Sequence, residues 1–449
     1  MRRRWTAVAA VLAGVCATAL PAATARGDAH PATAGSHGDL RRVSVDATGQ
    51  QADGASFSPV LSANARVVVF FSEARNLVPG LPEGAGIQAY AKDLRTGRVD
   101  LVSANPDGSP GYEAGYVQSV SADGRFVAFD SPSRTLDPRD AGDGMDVFVR
   151  DRVKGTTELI TRHDGERDAE RSFLPSISAD GRYLAFVSLR DDLVAGDTNG
   201  LADVFVRDRV KGTTRLVSVA GDGTQGTGSS SNPVISADGR QVAFTTEARN
   251  LFPWPQSVTG IARPPQPYVS FAVHDLRTGG TRAGAYNVNG MPVRVQYGLL
   301  FSPDGRYVQF DTSDGVLPGE EPGTWGSYSR DLRTGAYARL AAGPDGGRPA
   351  GSVTGAGLSA DNRTAFFTTN APGLVPGDTD NTWDVFARDL KSGRVTRLST
   401  TPDGGSPQGS SYGASPDRSG RTVAFTSDGA DLVPGDTNDV SDIFVRHLR

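Results

Sequence analysis

The chain has 449 residues and a formal net charge of −5, with 46 basic and 51 acidic side chains and a single cysteine. A mildly acidic chain without a basic cluster argues against a nucleic-acid partner. One cysteine, Cys16, excludes a disulfide scaffold and a thiolate metal site.

Residues 1–25 read as a secretory signal, with Arg2, Arg3 and Arg4 as the charged start, Trp5 to Leu20 as the apolar stretch and Ala23-Thr24-Ala25 as the cleavage site. The apolar stretch is too short for a comfortable membrane span, and no later run resembles one, so the chain is expected not to be membrane-spanning. Val15 precedes Cys16 where a lipidation site wants a small residue. Cleavage after Ala25 removes Cys16 and three arginines, which brings the charge to −8. An exported chain without disulfides must hold itself by core burial, for which this length is ample. Residues 26–39, rich in Ala, Gly, His and Thr, read as a flexible spacer. The expected location is secreted or extracytoplasmic.

From residue 40 onward one unit recurs. Its anchor is S-A-D-G-R followed by x-x-A-F, at Ser121–Phe129, Ser178–Phe186 and Ser236–Phe244. Looser copies start at Ser62, Ser302, Ser359 and Asp417, so seven copies follow one another at intervals of 57 to 66 residues. Within a copy, strand-like runs rich in Val, Phe and Tyr alternate with Asp-Gly and Lys-Gly turns, the pattern of a four-stranded meander. The seventh copy supplies strands at Tyr412–Ser415, Thr422–Thr426 and Asp442–Arg446 but no fourth. An orphan fourth-strand sequence, Arg41–Asp46, precedes the first copy. The expectation is therefore an all-β, seven-bladed β-propeller over residues 40–449, closed by the N-terminal strand pairing in the last blade.

S-x-D-G-R-x-x-A-F followed by D-V-F-V-R-D resembles the TolB-type, WD-like propeller repeat of secreted bacterial proteins, over nearly all of residues 40–449. That resemblance implies the propeller fold. Its members include binding proteins, lyases and peptidase-associated domains, so it implies no single activity.

In such a meander the A-D-G-R and R-T-G or V-K-G turns share one tight rim, and the longer second-to-third and blade-to-blade loops share the other. Functional loops on repeat folds gather on one side, here the long-loop rim. On the tight rim, each arginine that opens a second strand is expected beside the aspartate that closes the third. The pairs are Arg66–Asp93, Arg125–Asp151, Arg182–Asp208, Arg240–Asp275, Arg306–Asp331 and Arg363–Asp389, with His447 opposite Arg421. Their expected role is structural.

Three second-to-third loops carry D-x-[ND]-x-x-x-D: Asp197, Asn199, Asp203; Asp378, Asp380, Asp384; and Asp436, Asn438, Asp442. Carboxylate and amide oxygens at alternating positions suit Ca²⁺. The competing reading is that Asp and Asn form Asx-turns that cap the loop. Blade 2 keeps only Asp140 and Asp146, around Gly142. No cofactor is required, and calcium is the ion these loops would take. His30, His37, His163, His274 and His447 are spread so that they do not converge on a metal. In blade 4 a proline-rich loop with Trp254 replaces the acidic element, and Trp325 and Trp383 occupy matching loops of blades 5 and 6. They are candidate partner-binding anchors for a sugar or a protein, or, alternatively, tryptophans folded over a neighbouring blade. No G-x-S-x-G, H-E-x-x-H or phosphate loop is present. The sequence thus points to an exported, non-catalytic propeller that binds a protein or cell-wall glycan through its long-loop rim. The alternatives are a carbohydrate-active lyase or hydrolase using rim carboxylates, and a calcium-stabilised scaffold.

Overall fold

The computed structural model describes residues 39–112, 114, 118–140, 144–161, 171–254, 268–295, 298–343 and 345–448. The signal and spacer readings, Cys16, His30, His37, His163, Gly142 and most of the proline-rich loop lie outside the described residues.

Seven four-stranded antiparallel sheets follow one another, and no described residue is helical. Blade 3 shows the plan, with strands Ser172–Ile177, Tyr183–Ser188, Asp203–Asp208 and Thr213–Leu216 paired in chain order. The middle two strands of each blade are buried on both faces, which is why Val, Ala and Phe run without alternation through most of them. Phe186 and Phe205 sit opposite each other in register and stack with ring centroids 5.8 Å apart. Blades 2, 6 and 7 repeat that stack as Phe129–Phe148, Phe367–Phe386 and Phe425–Phe444. In blade 4, Ala272 stands opposite Phe244, and Phe271, one position earlier, packs instead against Phe310 of blade 5 at 5.3 Å.

The ring closes as expected. Leu40–Arg42 pairs antiparallel with the last strand, Asp442–His447, in the register Leu40↔Arg446 to Arg42↔Phe444. The tight turns are also linked backbone to backbone: Ala122 N–H donates to Ala179 O, and Ala179 N–H to Ala237 O. Across the chain ends Arg418 N–H donates to Ala63 O. The turn glycine explains how the turns approach. Gly181 has φ +72°, and a Cβ there would fall 2.2 Å from the Phe126 ring of the preceding blade.

On the tight rim four of the expected arginine–aspartate pairs form: Arg66–Asp93 (3.1 Å), Arg125–Asp151 (2.7 Å), Arg182–Asp208 (2.7 Å) and Arg306–Asp331 (2.5 Å). Among the described residues no ion pair joins Arg240 to Asp275 or Arg363 to Asp389. Arg240 turns to Asp238 at 3.6 Å, and Asp389 accepts from the Ser392 N–H and hydroxyl. In three of the four pairs the next residue adds support, whereas Arg66 forms its pair beside Val67. Phe126, Tyr183 and Tyr307 each offer a ring face under the guanidinium, 4.7 to 5.0 Å away, where blades 4 and 6 have Gln241 and Thr364. In blade 7, His447 meets the Thr422 hydroxyl rather than Arg421, with Nδ1 3.1 Å from Oγ1.

Candidate cation and partner-binding rim

The acidic loops are built from the strand ends upward. In blade 3, Asp203 opens the third strand and is fully buried. Ser218, just past the fourth strand, donates its hydroxyl to Asp203 Oδ1. Asp203 Oδ2 accepts from Asn199 Nδ2 (2.8 Å) and from Gln225 Nε2 (3.0 Å). The same Gln225 nitrogen reaches Asp197 Oδ1 at 2.7 Å, while its Oε1 accepts the Thr198 N–H at 3.1 Å. A neutral amide from the blade-to-blade loop therefore stands between the two carboxylates, where a cation would otherwise sit. Burial raises the pKa of both Asp197 and Asp203.

Blade 7 adds a cation to that plan. Gln51 Nε2 lies 2.7 Å from Asp436 Oδ1 and 3.1 Å from Asp442 Oδ2. Arg42 Nη1 lies 3.1 and 3.3 Å from the same two carboxylates. Ser44 donates to Asp442 Oδ1, and Asn438 Nδ2 donates to Ala52 O at 2.9 Å. In blade 6 the glutamine position holds Ser406. Arg397 approaches Asp384 at 3.4 Å and Asp378 at 3.8 Å, and its Nη1 also donates to Ser406 Oγ. There the Asp378, Asp380 and Asp384 carboxylates each bring one oxygen within 4.8 Å of the others. Burial pushes Asp384 up to about 6 and raises Asp378 as well. The Asx-turn component is present too: Asp380 Oδ1 accepts the Thr382 N–H at 2.9 Å, and Asn199 Oδ1 accepts the Leu201 N–H at 2.8 Å.

Blade 5 carries a variant outside the D-x-[ND]-x-x-x-D spacing. Glu320 stands where blade 6 has Asp378, and Gly326 where it has Asp384. Arg339 (2.5 Å) and Arg348 (3.1 Å) both close on Glu320, and Tyr328 donates its hydroxyl to it at 2.9 Å. Burial works to raise Glu320, but the Leu317 N–H and the Arg339 guanidinium outweigh it and hold the carboxyl at about 2. The signal was in the spacing. Gln51, Gln225 and Ser406 each follow the serine after a fourth strand by seven positions, and Arg348 occupies that place after Ala341.

Trp254, Trp325 and Trp383 lie on second-to-third loops of this rim, and each is half-buried. Trp254 stacks on Phe252 at 6.0 Å, meets Tyr268 edge-on at 5.6 Å and carries Arg249 over its face at 5.2 Å. Trp383 ties its loop to the next blade, its carbonyl accepting the Ser411 N–H at 2.6 Å. Sequence reasoning passed over Tyr112, on the loop between blades 1 and 2, which is 72 % exposed. His274 is buried, with Nδ1 2.8 Å from Thr281 Oγ1, and burial beside Arg215 brings it down to about 4.

No protein-family model matches the chain, and no curated protein is similar to it in sequence. Solved structures are similar in fold. An oligogalacturonate lyase in complex with manganese shares 13% identity, with a TM-score of 0.56 over 92% of this chain and 94% of that one. The β-propeller domain of the Trilobed protease from Pyrococcus furiosus shares 12%, with a TM-score of 0.52 over 88% and 93%. A putative TolB from Agrobacterium tumefaciens shares 16%, with a TM-score of 0.38 over 64% and 81%. At these identities the likeness to the lyase and to the protease propeller shows the fold alone.

Proposed function

We propose that this propeller is an exported binding module that engages a protein or cell-wall glycan through its long-loop rim. The observation that carries this reading is the pairing of amphipathic aromatics with fixed loops. Tyr112 stands exposed, Trp254, Trp325 and Trp383 are half-covered on the same rim, and the loops beside them are held by the Gln225, Arg397 and Arg348 contacts. A surface fixed before contact loses little conformational entropy on binding. Retention of envelope proteins and of purified cell-wall glycan by immobilised protein tests the reading. A Tyr112→Ser/Trp254→Ala variant should retain less of one of them, and equal recovery of both would remove the rim from the account.

Calcium, as a stabiliser of that scaffold, would be held in blade 6. Its three carboxylates gather around one point, and the Arg397 guanidinium is the charge that would have to yield. In blades 3 and 7 a glutamine amide already joins the carboxylates. A rise in the unfolding midpoint with calcium that Asp380→Asn abolishes would support this. The alternative, a carbohydrate-active lyase or hydrolase, draws on Asp384, whose position near 6 falls in the range that serves proton transfer. Turnover on a polysaccharide panel, lost in Asp384→Asn, would install that reading in place of the first.

A further inference from the structure

The seam between blades 5 and 6 is built from the wrong kind of side chain for a propeller core. In blade 3 the face turned to the next blade presents Ala185, Val187, Val204 and Val206, all buried in one apolar cluster. The same positions in blade 5 are Gln309, Asp311, Ser327 and Ser329, and all four are buried. Every other blade keeps at least three of the four apolar. Blade 6 meets this polar face with Gly355, where a Cβ would fall 2.5 Å from Ser327 Oγ and 3.1 Å from Asp311 Oδ1. At that position blade 6 brings only backbone to the cluster.

The cluster does not satisfy itself. Gln309 is fully buried, yet neither Nε2 nor Oε1 has a hydrogen-bond partner. Asp311 Oδ2 accepts the Gly355 N–H at 2.9 Å, while Oδ1 and the Ser327 hydroxyl lie beside each other without a well-formed hydrogen bond. Buried polar groups in native proteins have partners, so atoms of this kind mark a missing one. Gln309 pairs across the strands with Ser329, and Asp311 with Ser327. Opposed side chains start roughly 5 Å apart at Cβ, which lets a carboxylate, an amide carbonyl and two hydroxyls converge on a single point.

We propose that Gln309, Asp311, Ser327 and Ser329 hold a hard cation, sodium or calcium, inside the blade 5–blade 6 seam. Oxygen donors of mixed charge are what such ions take, and a buried carboxylate is tolerated when it is paired or coordinates a metal. Asp130 provides the contrast within the same molecule. It occupies the matching position in blade 2 and accepts the Leu174 N–H at 3.1 Å, as Asp311 accepts that of Gly355. Its companions, however, are Ala128, Val147 and Val149, which offer no ligand. Burial pushes both carboxyls up to about 7. In blade 2 protonation is the available relief, whereas in blade 5 a bound ion supplies another. This inference stands apart from the rim, whose carboxylates lie in other loops.

The test is thermal unfolding of the chelator-treated protein at constant ionic strength, with sodium or calcium exchanged for choline. It is accompanied by a count of metal bound per chain. One of the two ions should raise the midpoint by about 2 °C or more and remain bound at one equivalent. Asp130→Asn and Asp380→Asn should keep that response, which separates it from any ion at the rim. Asp311→Asn should lose it. Ser327→Ala, which places in blade 5 a small apolar group of the kind other blades use, should raise the half-saturating concentration about tenfold, and it decides the matter if Asp311→Asn does not fold. A response equal in the native protein and Ser327→Ala, or no response to either ion, would overturn the site and leave the seam to ordered water.

Discussion

Arg42 and Asp442 stand 400 residues apart in the chain and 3.3 Å apart in space. The pair, with Asp436 beside it, pins the N-terminal strand to the last blade. Removing one partner of a buried ion pair leaves an uncompensated charge. Arg42→Ala should therefore cost about 3 kcal/mol, read as a lower midpoint in urea at an unchanged slope. Arg42→Lys should recover part of the loss. An unaltered midpoint for Arg42→Ala would mean that backbone pairing alone closes the ring.

Gln225 separates two carboxylates that would otherwise face each other. Gln225→Ala should cost about 2 kcal/mol, because Asp197 and Asp203 both lose a buried donor. The same substitution vacates the point between them. The variant should thus acquire a calcium-dependent rise in midpoint located in blade 3, visible as an increase over the native response. If calcium rescues nothing, the loop is turn chemistry even when its latch is removed.

Asp130 gives stability a pH dependence whose sign is fixed. Its folded-state pKa, about 7, lies above the unfolded value, so the folded protein holds the extra proton between roughly pH 4 and pH 7. Stability from this group is full below pH 4 and is lost as the pH rises through 7. His274, down to about 4, works the other way: its neutral form favours the fold, and that contribution is lost as the pH falls through 4. Asp130→Asn should flatten the decline between roughly pH 4 and pH 7 in a series of unfolding curves. Parallel curves for the two proteins would show that Asp130 ionises freely in the folded state.

Tyr112 and Trp254 separate binding from folding. Tyr112 is 72 % exposed, so Tyr112→Ser should leave stability within about 0.5 kcal/mol while reducing partner retention. Trp254 packs between Phe252 and Tyr268. Its truncation to alanine should cost about 2–3 kcal/mol on calorimetry. If Tyr112→Ser retains every partner at native strength, the exposed aromatic is not a contact.

The propeller, its seven blades and the strand that closes it were legible from local signals: a turn-and-strand unit repeated seven times, with Asp-Gly at the turn in four copies, the buried Val/Phe runs and the orphan Arg41–Asp46. The N-terminal strand proved to be Leu40–Arg42, with Val43 N–H still donating to Ile443 O at 2.7 Å. The acidic loops were legible as loops. What stands between their carboxylates was not, because Gln225, Gln51 and Arg397 come from other stretches of chain and only the folded blade brings them in. The Arg240 and Arg363 pairs did not form, and the ring that supports three of the others is missing there, but Arg66 pairs with Asp93 beside Val67, so the next residue alone does not decide the outcome. The polar seam of blade 5 was visible as Y-V-Q-F-D-T against G-S-Y-S-R-D. Its meaning required knowing which strand face meets blade 6.

The closing strand also sets the order in which the molecule can be made. Residues 40–42 are synthesised long before their partners at 444–446. The final sheet therefore waits until both segments exist, and its completion pays the loop-closure entropy of contacts such as Arg42–Asp442, 400 residues apart. Until then the sheet edge of the seventh blade and a detached, matching strand are both open. Two polypeptides that meet in this interval can each donate the early segment to the other, so refolding at high concentration should give a dimer by strand exchange, while dilute refolding returns the closed monomer.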